Sequence, residues 1–173
     1  MRPVYCILME IKHVDEANKG ITFTTKERGL IDAAAGHLAR SVARVAVENA
    51  SGNAESTDQE AAQKQKAAAN KRVQAIGAAV GRLYNSASPV SSTSVQEGQN
   101  VDVDEKRYVV IGNAEAALLE EGLQSYADAT VDVVGNPDTR WSLHDYSERA
   151  GDGNDAAALA EQLHGALTPK PEA

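Results

Sequence analysis

Aromatic residues are scarce in this chain: Phe, Trp and Tyr together make up 4% of 173 residues. These side chains bury the most area per residue, so a thick two-sheet sandwich is disfavoured and closely packed helices of Ala, Val and Leu are favoured. Cysteine is rarer still. Cys6 stands alone within VYCILMEI, which excludes an intrachain disulfide and any CxxC metal pattern; its apolar neighbours suit a buried thiol better than a nucleophile. No window approaches ~18 uninterrupted apolar residues, so no membrane-spanning helix is expected. The stretch from Val4 to Met9 is too short for a secretory signal and runs into Glu10 and Lys12. The expected location is the cytoplasm, or the inside of a particle. Positive charge is also short: 17 basic residues face 25 acidic ones, for a net charge of −8. Attraction to a phosphate backbone needs the opposite balance, so nucleic acid is not an expected partner. Solubility accounts for such a balance, and an acidic surface for a basic partner is the alternative.

The length suits one domain over 1–173, large enough to hide roughly 70% of its unfolded surface. PVYCILMEI at 3–11 reads as a strand covered on both faces. KHVDEANKG is a polar turn, and ITFTT alternates as a short second strand, a hairpin partner for the first. Thr24 and Glu27 then have the spacing of a capping box, which starts a helix running to about Asn49. Its apolar positions Ile31, Ala35, Leu38, Val42 and Val45 are spaced four, three, four, three. A second helix starts at Ser56, Thr57 or Asp58 and runs to about Asn85. The Ala/Gln/Lys-rich first half has little to bury, and the second carries the same spacing at Ala69, Val73, Ile76, Val80 and Leu83. Two matched seams across a short polar loop predict an antiparallel helical hairpin over 26–85, a rod ~35 Å long. The Ala/Gln/Lys-rich tip has no evident partner surface within one domain, which points to a second subunit.

Residues 86–106 read as a linker or surface loop, with a short edge strand at Val101 and Val103 as an option. A β-α-β-loop-α unit follows over 107–167. YVVIGN is a strand, Asn113 caps a helix with Glu115 in its first turn, and Leu118, Leu119, Leu123 and Tyr126 form the buried face. TVDVVGN reads as a second strand, parallel to the first across the intervening helix. Residues 137–154 are irregular, DAAALAEQLHGAL is a last helix capped by Asn154 or Asp155, and 168–173 is a fraying tail. The expected class is α/β (or α+β): a small mixed or mostly parallel sheet of about four strands, a long helical hairpin and two further helices.

Two places could hold a ligand. If YVVIGN and VDVVGN are parallel neighbours, Gly112, Asn113, Gly135 and Asn136 share the carboxyl edge of the sheet, where open α/β sheets bind ligands. The amides of Asn113 to Glu115 would then face an anion, although Glu115 opposes one and neither GxGxxG nor the P-loop lysine pattern is present. The segment from Asn136 to Asp155 is the richest in reactive side chains, and Arg140, His144 and Asp145 are its catalytic candidates. Adjacent His144 and Asp145 point apart, however, and no GxSxG or HExxH motif accompanies them. Trp141 in the same segment suits an interface anchor. GDGND fails the EF-hand spacing and reads as a helix cap. His13, His37, His144 and His164 lack metal-ligand spacing, so neither metal nor cofactor is expected. Lys64, Lys66, Lys71 and Arg72 read as a solvated face.

The balance favours a non-enzymatic assembly or adaptor protein that self-associates or binds a protein partner through the hairpin seams. A phage or prophage particle component, or a small acidic inhibitor of another complex, would fit. The alternative is a small-ligand-binding α/β protein or enzyme with its site at the carboxyl edge of the sheet.

Overall fold

The structure, a computed structural model, describes residues 9–52, 59–90, 105–134 and 143–168, with 50, 52, 131–134 and 143–150 described as backbone. The elements follow the order β1 (Glu10–His13), β2 (Asn18–Phe23), α1 (Thr25–Gly52), α2 (Gln59–Asn85), β3 (Ser88–Pro89), β4 (Arg107–Gly112), α3 (Asn113–Val134) and α4 (Leu143–Leu167). The four strands form one sheet in the order β1-β2-β4-β3, and each neighbouring pair is antiparallel. Among the described residues the fold is therefore mixed α+β, the second of the two expected classes, with four helices on a small antiparallel sheet and not the mixed or mostly parallel sheet expected.

The error in strand direction has one source. The TVDVV segment, expected to be a parallel strand, continues α3 to Val134. Its β-branched residues each cost a helix at most about 0.7 kcal/mol, whereas β-propensity reflects fit to a half-buried pleated surface. No Gly or Pro interrupts the chain from Ala127 to Val134, and α3 packs along α4, with Ala127 buried. That packing decides the outcome. The second Gly-Asn phrase thus follows a helix, and Gly135 and Asn136 themselves lie outside the described residues.

The expected irregular segment 137–154 is likewise helical from Leu143 onward. GDGND lies inside α4, so Asn154 and Asp155 do not cap it. Tertiary contact explains a glycine within this helix: a Cβ on Gly153 would fall 2.9 Å from Thr130 Cγ2 of α3. Close approach of the two helices outweighs the roughly 1 kcal/mol that glycine costs a helix. Asp155 instead faces Lys26 of α1 at 3.7 Å.

At the N-terminal hairpin, the described strand is Glu10–His13, and residues 3–8 of the expected strand lie outside the described set. Glu10 is exposed, so this part is not covered on both faces. Asn18, Lys19 and Gly20, expected in the turn, belong to β2: all three pair with Gly112 to Val110 of β4, and Lys19 and Gly20 also pair with His13 and Lys12 of β1. Asp15 makes the turn: its Oδ1 accepts the amides of Ala17 and Asn18 at 2.8 Å each. The Asn18 side chain and then the Ala17 amide hold the Asp15 carboxyl below its ordinary range. Gly20 is required where it stands, because the Tyr108 ring lies over it and a Cβ would meet the phenol oxygen at 2.3 Å.

One sheet face carries the core. Ile21 and Phe23 of β2 pair across to Val109 and Arg107 of β4, and Ile21, Phe23, Val109 and Ile111 are all buried. Against them pack Leu119 and Leu123 of α3, Leu159 and Leu163 of α4, Ile31 and Ala34 of α1, and Ala79 and Leu83 of α2. Leu118 and Tyr126, expected in the buried face of α3, are half-buried. Part of the expected linker also joins the sheet: Ser88 and Pro89 pair with Tyr108 and Arg107. Pro89 is tolerated because this is an edge strand, where a missing N–H need break no ladder. Val101 and Val103 lie outside the described residues.

Two carboxylates secure the helix starts. Glu27, 1% exposed, accepts the Thr24 amide at 2.8 Å while Thr24 Oγ1 accepts the Glu27 amide at 3.2 Å. This is the capping box read from the sequence. Its second oxygen also accepts the Met9 amide at 2.9 Å, tying the root of α1 to the chain entering β1. Glu115 performs the equivalent service for α3: Oε2 accepts the Gly112 amide at 2.9 Å, and Oε1 meets Arg82 Nε of α2 at 3.1 Å.

Candidate interaction site

Helices α1 and α2 pack against each other. Near the sheet, Tyr84 at the end of α2 donates to Asp32 Oδ2 of α1 at 3.1 Å, and the Arg28 guanidinium lies 4.3 Å over its ring. Burial and the bond to Asp32 push the Tyr84 phenol above its usual pKa. One step outward, Ala35, Leu38 and Ile76 form a small cluster with Val42, Val80 and Leu118 around it. A third helix joins here, since Gly122 of α3 lies against the Ala34 and Ala35 backbone, where a Cβ would sit 3.4 Å from the Ala34 oxygen.

The seam residues therefore divide into two groups. Ile31, Ala35, Leu38, Ile76 and Leu83 are buried within the chain, and Val80 packs at their border. Val42, Ala69 and Val73 are only half-buried, and Val45 is 45% exposed. The distal members do not close on each other. Leu38, Val42, Val45 and Ala46 of α1, with Ala68 and Ala69 of α2, line an open groove of about 600 Å³. Its floor reaches Glu121 and Ser125 of α3, and Arg72 of α2 forms an ion pair with Glu121 there.

A second groove of about 620 Å³ shares Glu121 and Ser125 with the first and continues along α3 past Glu120, Gln124 and Asp128, with His37 of α1 at its side. The His37 ring meets Tyr126 edge-on at 6.0 Å. Glu120 contacts His164 Nδ1 of α4 at 2.8 Å, and Asp128 accepts from Gln124 at 3.0 Å. The joined surface is apolar at one end and acidic at the other. The sequence signal for the acidic end was available in α3 itself, which carries five acidic residues and no Lys or Arg. The long expected strand at its end obscured it.

The sheet-edge candidates do not come together as a site among the described residues. The Gly112 amide is taken by Glu115 and the Asn113 amide donates to Ala17 O at 2.9 Å. The Asn113 side chain turns away to donate to Glu16 O at 2.8 Å. Arg140 and Trp141 lie outside the described residues, and His144 and Asp145 are known only as backbone in the first turn of α4. His13 lies 3.4 Å from the amine of Lys19, which is itself buried. No group of three or more His, Cys, Asp or Glu side chains fit to hold a metal occurs among the described residues. No described helix is long and apolar enough to cross a membrane. Comparison with known proteins finds no matching family model, no matching curated protein and no matching solved structure.

Proposed function

We propose that this chain is a non-enzymatic assembly module whose antiparallel α1-α2 hairpin joins it to a second copy of itself. The observation that supports this reading is the unequal use of one continuous seam. Its sheet-proximal members are consumed by the core, while Val42, Val45, Ala46, Ala68 and Ala69 border an open groove. Seam spacing over two matched helices is a pattern that closes on further helices, and an intermolecular four-helix contact would cover it. Burying the distal valines would contribute about 25 cal/mol for each Å² of apolar surface removed from water.

The test is solution mass together with circular dichroism. Wild-type protein is expected to sediment above the monomer mass, and Val45→Asp at the monomer mass with an unchanged helical signal. A monomeric wild type across the micromolar to millimolar range would remove the reading. Packaging within a particle, or inhibition of a larger complex, are contexts in which such a module would serve.

A further inference from the structure

The assembly reading leaves open which surface of the second copy enters the groove, and the distribution of charge answers that. Among the described residues, the distal parts of α1 and α2 (40–52 and 59–72) carry six basic and two acidic residues, whereas β4, α3 and α4 (107–134 and 143–167) carry two basic and ten acidic. A chain with a net charge of −8 thus holds a basic arm and an acidic α3-α4 layer.

The basic arm has a defined projecting face. Arg40, Ala43, Arg44 and Val47 are spaced i, i+3, i+4, i+7 and fall on one side of α1. Leu38, Val42 and Val45, which line the groove, fall on the opposite side. All four stripe residues are exposed. Val47 at 62% is the most exposed large hydrophobic side chain described, and no contact among the described residues covers it. Arg44 pairs with Glu48 at 3.7 Å, with both side chains largely solvated, a pairing worth little. The groove offers the complement: apolar Val42, Val45 and Ala46 at one end, Glu120 and Asp128 at the other, and between them Glu121 paired with Arg72.

We infer that the Arg40-Ala43-Arg44-Val47 stripe of one copy docks in the joined groove of a second copy, Val47 against the apolar end and the arginines toward the α3 carboxylates. This rests on the assembly reading and gives it a specific geometry. The groove and the stripe lie on opposite faces of α1, so each copy offers both halves of the contact. Steering between opposite charges makes the association salt-dependent.

Two charge-reversed chains test it: Arg40→Glu with Arg44→Glu, and Glu120→Lys with Asp128→Lys. Each should fold as wild type by circular dichroism and associate at least tenfold more weakly by sedimentation velocity. A 1:1 mixture of the two should regain association, because both contacts are then opposite in charge again. Wild-type affinity should fall about tenfold or more as sodium chloride rises from about 50 to 500 mM. Reversed chains that associate like wild type, or a mixture that stays dissociated, would overturn the inference. If Val45→Asp still dissociates the protein in that case, the hairpin remains the assembly element and only this docking mode is lost. A monomeric wild type removes both.

Discussion

The two halves of the α1-α2 seam have the same spacing but different surroundings, with Leu and Ile confined to one half and only Val and Ala in the other. Leu38, Ile76 and Leu83 lie where the sheet and α3 close over them, and they are between 0 and 5% exposed. Val42, Val45 and Ala69 continue the same rows beyond the reach of the sheet and border open space. Heptad spacing alone therefore does not say how far along a row the core extends. Distance from the sheet decides that here: a core four strands wide, with Gly122 letting α3 approach α1 closely, reaches only the first turns of the arm.

That contrast can be broken at several points. The largest effect belongs to Leu83→Ala, at 0% exposure in the central cluster. Truncation there should cost about 2–5 kcal/mol, read as a lower urea midpoint with an unchanged slope. Glu27→Ala comes next, because it strips the Thr24 and Met9 amides of their shared buried acceptor. A loss of about 2 kcal/mol is expected, with Glu27→Gln recovering part of it. A loss below about 0.5 kcal/mol would show that these amides find other partners.

A smaller effect follows pH. The Tyr84 phenol titrates above its ordinary value in the folded chain, first because of burial and then because of its bond to Asp32. A raised folded pKa means that the contribution is fully present below pH 10, the ordinary tyrosine value, and is lost as pH rises through the folded value. Tyr84→Phe should flatten the stability curve in that alkaline window and nowhere else. The smallest effect on folding is expected from Val45→Asp, within about 0.5 kcal/mol of wild type. That substitution should nevertheless have the largest effect on mass, which is the point of the comparison.

Local chemistry was legible in the sequence wherever a side chain acts on its own neighbourhood. Thr24 and Glu27 gave the capping box, and Ile21 and Phe23 alternated as a half-buried strand; both are present in the structure. The fold errors all lie where distant contacts decide. Val131 to Val134 carry strand-like residues but continue α3, whose buried face is packed on α4. Gly151 and Gly153 look like loop punctuation, yet Gly153 is where Thr130 presses against α4. Placing Asn18 to Gly20 in the sheet required a β4 partner from nearly a hundred residues away, which no local pattern could supply. The acidic groove was half legible: α3 shows its carboxylates in sequence, but only the packing of α1 places them beside Val42 and Val45.

The account depends on whether the distal seam is used between chains. Sedimentation velocity on wild type and Val45→Asp, each checked by thermal melting, measures this directly. The prediction is an oligomeric wild type and a monomeric variant with the same melting temperature within a few degrees. An unchanged mass for Val45→Asp, in a protein that still melts as wild type, would contradict it.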